Sequence, residues 1–187
     1  MIHLASNSQS RALLLKKAHI PFIQKAPEYD EEQITTSVAK DFVYIASQGK
    51  LNAAIREFGL GTPLLTADSV IATNEGQILR KPKDIDDARR ILGLQSDAKI
   101  AIISAMHYKT SSFYLSDVSA TYYTFEPFDP HDLENYLQSG AWQGKAGGCM
   151  VEGFCKKYIR KVHGYESTAM GLSVERLQGW LENDFRQ

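Results

Sequence analysis

The stretch Pro63-Leu64-Leu65-Thr66-Ala67-Asp68-Ser69-Val70-Ile71-Ala72 carries the strongest strand signal in the sequence and sets one carboxylate, Asp68, among apolar neighbours. The apolar run predicts a buried strand. A carboxylate in such a strand is unfavourable unless it is paired, binds a metal or faces a cavity. Asp68 is therefore either a structural hydrogen-bonding group or a functional acid. Asn74-Glu75-Gly76 then turns the chain, and Gln77-Ile78-Leu79 returns as a short strand. Arg80-Lys81-Pro82 follows, and Pro82 holds Lys81 extended, so its ammonium projects from a strand end.

A second constraint lies at the opening. Met1 to Ala5 is short and mostly apolar, the profile of a buried strand, and Arg11 to Ala18 is rich in Leu and Ala, which favours helix. Between them Ser6, Asn7, Ser8 and Ser10 offer acceptors for the free amides of a helix start, with Ser10 placed to cap it. Such a turn is either an ordinary capped connection or an anion site, because N–H groups and the helix dipole point there. Arg11 adds a planar cation suited to phosphate.

Pro21 to Gln24 predicts a short strand, followed by an acidic patch of Glu28, Asp30, Glu31 and Glu32. Alone, that patch is a solvated loop; beside a phosphate site it is a source of hard oxygen ligands. Val38, Phe42, Ile45, Gly49 and Ala53 recur at helical spacing and predict a long amphipathic helix to about Phe58. Lys50 borders that stripe, free to snorkel along the core edge or to reach into a cleft.

Asp84 caps a helix through about Leu92, with Gly93 as its stop. Lys99–His107 and Ser112–Phe125 read as strands, and Asp129-Pro130 opens a helix that buries Leu133, Tyr136 and Leu137. The glycines from Gly140 to Gly153 surround Lys145 and Glu152, as a flexible surface loop or a close approach to a ligand. Phe154 to Val162 resumes as a strand bearing Lys156, Lys157, Arg160 and Lys161. That strand is a basic nucleic-acid face or, more simply, a charged sheet edge. Ser173 caps a last helix, with Leu172 and Leu177 as its staple.

The 187 residues, 43% hydrophobic and 23% charged, fit one soluble domain spanning 1–187. A net charge of −1 gives no global attraction to nucleic acid or an anionic membrane. No apolar run is long enough for a membrane span and no signal peptide is evident. Cys149 and Cys155, without a CxxC or Cys/His cluster, read as reduced thiols of a cytoplasmic protein.

Five separated pieces together resemble the Maf family of nucleoside triphosphate pyrophosphatases. Leu4-Ala5-Ser6-Asn7-Ser8 with Arg11 resembles its LASxSPRR opening, Tyr29-Asp30-Glu31 its acidic element, and Ala67-Asp68-Ser69-Val70 its ADTVV strand. Ile78-Leu79-Arg80-Lys81-Pro82 resembles ILGKP, and Gly144-Lys145-Ala146-Gly147 through Glu152-Gly153-Phe154 resembles the DKAG-to-QG segment. The resemblance covers nearly the whole chain. It implies an α/β fold with an elongated mixed sheet flanked by helices, like that of inosine triphosphatases, and two lobes around a central cleft. It also implies hydrolysis of a nucleoside triphosphate to the monophosphate and pyrophosphate, a Mg²⁺ or Mn²⁺ cofactor, and the homodimer usual in the family.

Attack by water at the α-phosphorus needs charge neutralisation and an activated nucleophile. Asp68, Glu31 and Lys81 are the catalytic candidates; Ser6, Ser8, Arg11, Lys50 and Lys145 are the substrate-binding ones. Asp68, Glu31 and Glu152 are the candidate metal ligands. Ser10, Ser69 and Glu152 stand at the specificity positions. Glu152-Gly153-Phe154 looks like the 7-methylguanosine triphosphate branch, whereas Lys145-Ala146-Gly147 and Ala67-Asp68-Ser69 look like the thymidine and uridine triphosphate branch. The base stays open. The alternative, from the family's link with septum formation and division arrest, is a regulator that binds nucleotide without significant turnover.

Overall fold

In the computed structural model, which describes residues 1–184, Leu64–Thr73 is an interior strand of a seven-stranded sheet. Residues 185–187 of the expected domain lie outside the described residues. The strands are β1 (Ile2–Leu4), β2 (Phe22–Gln24), β3 (Leu64–Thr73), β4 (Ile78–Leu79), β5 (Lys99–Lys109), β6 (Tyr114–Phe125) and β7 (Ile159–His163). Their order is β2-β1-β3-β5-β6-β7, with β4 also on β3. The β1 pairings are parallel and the others antiparallel, so the sheet is mixed, as expected.

The β3 edge explains where a cleft can form. β1 pairs with Leu64 and Leu65, and β4 pairs with Ile71 and Ala72. Among the described residues, 66–70 have no strand partner on that edge, so Asp68 and Ser69 lie where the sheet is open. The core divides to either side. One cluster packs Ile71, Leu79, Leu92, Phe125, Trp142 and Tyr158; another packs Leu4, Leu15, Leu65, Tyr108, Leu172 and Leu177.

The helices are α1 (Gln9–Lys17), α2 (Ala39–Phe58), α3 (Ile85–Gly93), α4 (Pro130–Ser139), α5 (Glu166–Ala169) and α6 (Val174–Asp184). None of the described helices is long and apolar enough to cross a membrane. Three sequence expectations change. Ser8, not Ser10, caps α1, accepting from the Arg11 backbone N–H at 3.3 Å, because the helix begins earlier than its Leu-rich portion.

On α2 the face against the sheet is Ala39, Phe42, Val43, Ala46, Ser47 and Ala54, while Val38 and Ile45 are exposed. Small residues let the helix approach the sheet closely, and a count of large apolar side chains misses that. Finally, Phe154–Tyr158 is a 3₁₀ segment before β7 rather than its first half. Phe154 stacks on Tyr136 at 4.4 Å, and both Phe154 and Tyr158 pack on Phe128.

Candidate active site

The helix α2 and strand β3 meet at a buried polar tie: the Thr66 hydroxyl donates to the Ser47 carbonyl at 3.0 Å. Lys50 lies one turn beyond Ser47, and Asp68 lies two residues beyond Thr66 on the same strand face, so the tie aligns the two. Lys50 Nζ donates to Asp68 Oδ1 at 2.5 Å and stands 2.5 Å from Glu31 Oε1. Lys81 Nζ is 4.0 Å from Glu31 Oε2. The alternative that Lys50 merely snorkels is thereby replaced: it reaches inward and bridges two carboxylates.

The two carboxylates are driven apart in acidity. Burial pushes the Asp68 pKa up, reinforced by the charge on Glu31, against Lys50 and Arg11. Burial acts upward on Glu31 too, but Lys50, Lys81 and Arg11 outweigh it and hold Glu31 below its ordinary value. Glu31 thus stays ionised while Asp68 is the readier proton acceptor, a division that separates base from fixed charge.

The segment that carries Glu31 packs on α2 two residues earlier. Tyr29 lies over α2 at Gly49, where a Cβ would come within 2.2 Å of its ring. The sequence pattern took Gly49 as part of an apolar stripe; it is the gap that admits Tyr29. Burial raises the Tyr29 pKa, keeping the phenol neutral.

Arg11 is buried, and burial lowers its pKa against the pull of Asp68 and Glu31. Its Nε donates to the Gly171 carbonyl at 2.9 Å, Nη1 to Ser6 Oγ at 3.0 Å and Nη2 to Ser69 Oγ at 3.2 Å. Gly171 has φ +104°, and a Cβ there would press on Arg11 and Ser69. Ser104, opposite Ser69 across β3 and β5, fixes the sense of this chain. The Ser104 hydroxyl spends its one proton on the Thr168 carbonyl at 2.7 Å, so in the 2.8 Å contact between the two hydroxyls Ser69 is the donor. The order is Arg11 to Ser69 to Ser104 to Thr168. Ser69, expected as a specificity position, has its proton committed to this chain. Ser104 carries no local sequence signal; only its register opposite Ser69 exposes it.

A cavity of about 530 Å³ opens onto these groups. Ser6, Ser8, Ser10, Arg11, Glu31, Lys50, Asp68, Ser69, Lys81, Lys145 and Glu152 all line it, so the structure brings every sequence-predicted site residue to one hollow. The Gly144–Gly148 segment is not a free loop: the Gly147 N–H donates to the Arg80 carbonyl, and Gln95 donates to the Gly147 carbonyl at 2.7 Å. With φ +59° and Ile71 Cδ1 2.8 Å from where a Cβ would sit, Gly147 is the residue that permits this seating.

Glu31 and Asp68 already share one cation, the Lys50 ammonium, and two carboxylates plus ligand oxygens suit a hard ion such as Mg²⁺. Among the described residues no three His, Cys, Asp or Glu side chains form a metal-holding group. Glu152 therefore lies on the cavity wall without joining the Glu31–Asp68 pair. The basic stretch expected as an alternative nucleic-acid face is partly neutralised: Lys157 pairs with Asp132, and Arg160 with Glu126.

A mixed sheet opened at β3 onto a hollow with cations and two carboxylates defines a class of α/β cleft proteins suited to anionic ligands. The solved Ham1 protein of Staphylococcus aureus shares this fold, with a TM-score of 0.55, 14% identity and 98% of both chains covered. Residues 1–184 match the family model of Maf-like protein, and the chain belongs to that family. It is 52% identical over 179 residues to a nucleoside triphosphate pyrophosphatase of Nitratiruptor sp., covering 95% of this chain and 96% of the relative. A Helicobacter pylori nucleoside triphosphate pyrophosphatase is 35% identical, with 96% and 94% covered. A Campylobacter jejuni one is 33% identical, with 97% and 100% covered.

Proposed function

We propose that this protein hydrolyses a nucleoside triphosphate to the nucleoside monophosphate and pyrophosphate. The observation that carries the reading is Lys50 held between Asp68 and Glu31 at the wall of a cavity that also receives Arg11 and Lys81. The names of the relatives support the same reaction.

In this reading Arg11, Lys81 and Lys145 offset phosphate charge from different sides. Ser6, Ser8 and the amides at the start of α1 donate to phosphate oxygens. Asp68, the carboxylate with the raised pKa, takes the proton from the attacking water, and Lys50 holds Asp68 in place. Glu31 and Asp68 would hold Mg²⁺ or Mn²⁺, which supplies further neutralisation at the phosphates when bound. Ser10 and Glu152 face the ligand as base-reading groups, and Ser69 acts through Arg11. The base is left open between the thymidine or uridine type and the 7-methylguanosine type. The proposed location is the cytoplasm, as the reduced thiols of Cys149 and Cys155 suit.

Purified protein incubated with a panel of normal and modified triphosphates plus Mg²⁺ or Mn²⁺ tests this. Pyrophosphate release that Asp68→Asn abolishes is expected. Saturable binding with turnover at background would instead assign a nucleotide-binding regulator.

A further inference from the structure

Beyond the acid–base cluster, a second pair of reactive side chains meets at the same hollow. Cys149 is half-buried and lines the cavity, and Cys155 lies behind it, fully buried in the aromatic core. The Cys149 thiol donates to Cys155 Sγ at 2.9 Å. A tight turn holds them there: the Gly153 and Cys155 N–H groups both donate to the Met150 carbonyl at 3.0 Å. A disulfide needs a sulfur separation of about 2.05 Å, so closure asks for a shift of about 0.9 Å. Both thiols are free, and the segment between them carries Val151 and Glu152, two residues of the cavity wall.

We propose that Cys149 and Cys155 are a reversible oxidation site: a hydroperoxide entering the cleft converts them to a disulfide that locks the wall segment bearing Glu152. The Cys149 thiolate attacks the peroxide, forming an S–O bond and breaking O–O, and the departing oxygen leaves as water after taking a proton. Cys155 then attacks Cys149 Sγ, forming S–S and breaking S–O, and its proton leaves with the hydroxide as a second water. Two thiols and one hydrogen peroxide give one disulfide and two waters. Entry is one-sided, since only Cys149 faces the cavity. The hydrogen bond to Cys155 and burial hold the Cys149 thiol well above its ordinary pKa, so the step is slow without excess oxidant.

The loss of turnover rests on the proposed hydrolysis; the bond itself does not, and mass measurement reads it separately. Whole protein is treated with excess hydrogen peroxide, quenched by alkylation under native and then denaturing conditions, and weighed. The expected result is a monomer lighter by two hydrogens, with its thiol titre falling from two to zero and restored by dithiothreitol. Turnover on the best triphosphate falls and recovers in parallel. Cys149→Ser is expected to leave a Cys155 thiol that peroxide does not oxidise. Two alkylatable thiols after treatment, a stable sulfinic acid on Cys149 beside a free Cys155, or equally fast oxidation of Cys155 in Cys149→Ser would each overturn the site. A disulfide that forms with turnover unchanged would overturn the locking.

Discussion

Lys50 and Asp68, eighteen residues apart in sequence, meet at 2.5 Å inside a gap in the sheet edge, and the contact leaves Asp68 ionisable but reluctant. Burial raises the Asp68 pKa, and an acid above its usual range takes a proton more readily than an ordinary aspartate.

Asp68→Asn removes the proposed proton acceptor and keeps the shape. Turnover should fall by about 10² to 10⁴-fold, the usual contribution of a general base. The wild-type kcat/KM should decline as pH falls through the Asp68 pKa, which burial raises from its ordinary value. The sign for stability is opposite: a carboxylate with a raised folded pKa destabilises the fold as pH rises through that window. Asp68→Asn should therefore hold or raise Tm at neutral pH, read by calorimetry.

Lys50→Met leaves two carboxylates facing each other without their shared cation. Removing one partner of a buried pair costs about 3–5 kcal/mol; with Glu31 still 26% exposed, the lower end is expected here. Both carboxylate pKa values then rise in the folded state, so the folded protein binds more protons than the unfolded chain. The deficit should be largest near neutrality and shrink as pH falls through the raised values. Denaturant unfolding at a series of pH values checks the slope.

Gly49→Ala puts a methyl group where the Tyr29 ring lies, at 2.2 Å. Rigid helix backbone cannot yield, so Tyr29 must leave, and Glu31 two residues on moves with it. Overpacking of this kind costs about 1–3 kcal/mol. Turnover should drop more than the stability loss explains, and Tyr29→Ala in the same chain should restore the fold without restoring the rate.

Ser104→Ala breaks the proton chain that begins at Arg11. The Thr168 carbonyl loses its donor, a cost of about 1–3 kcal/mol for a buried group left unpaired. Ser69 loses its acceptor, and with it the fixed partner of Arg11 Nη2. In the proposed reaction Arg11 binds phosphate in ground and transition states alike, so KM should rise while kcat changes less. Ser104→Thr, which keeps the hydroxyl, should recover KM; steady-state kinetics on the three proteins decide it.

What was legible in the sequence follows from the range of each signal. Asp68 stood out because a charge in an apolar run is locally anomalous, and Pro82 pointed Lys81 outward. The mixed sheet and the cavity-lining residues came from motifs spread along the chain. On α2 Phe42 and Ala53 are buried as their spacing predicts, whereas Val38 and Ile45 are exposed, and Ala39, Ala46 and Ala54 bury by fitting close to the sheet rather than by being large. Ser104 and the Tyr29–Gly49 contact were invisible, since each depends on which residue lies opposite across space. Glu152, carried over as a third metal ligand from its motif, lines the same cavity as Glu31 and Asp68, but no three-residue metal-holding group forms among the described residues.

In the proposed reaction, water activated at Asp68 attacks the α-phosphorus of a triphosphate held in this cleft. Hydrolysis in water enriched in heavy oxygen, with both products weighed, reads the position of attack. Attack at the α-phosphorus puts the label in the nucleoside monophosphate and none in the pyrophosphate. Label in the pyrophosphate, or release of orthophosphate with a nucleoside diphosphate, would contradict it.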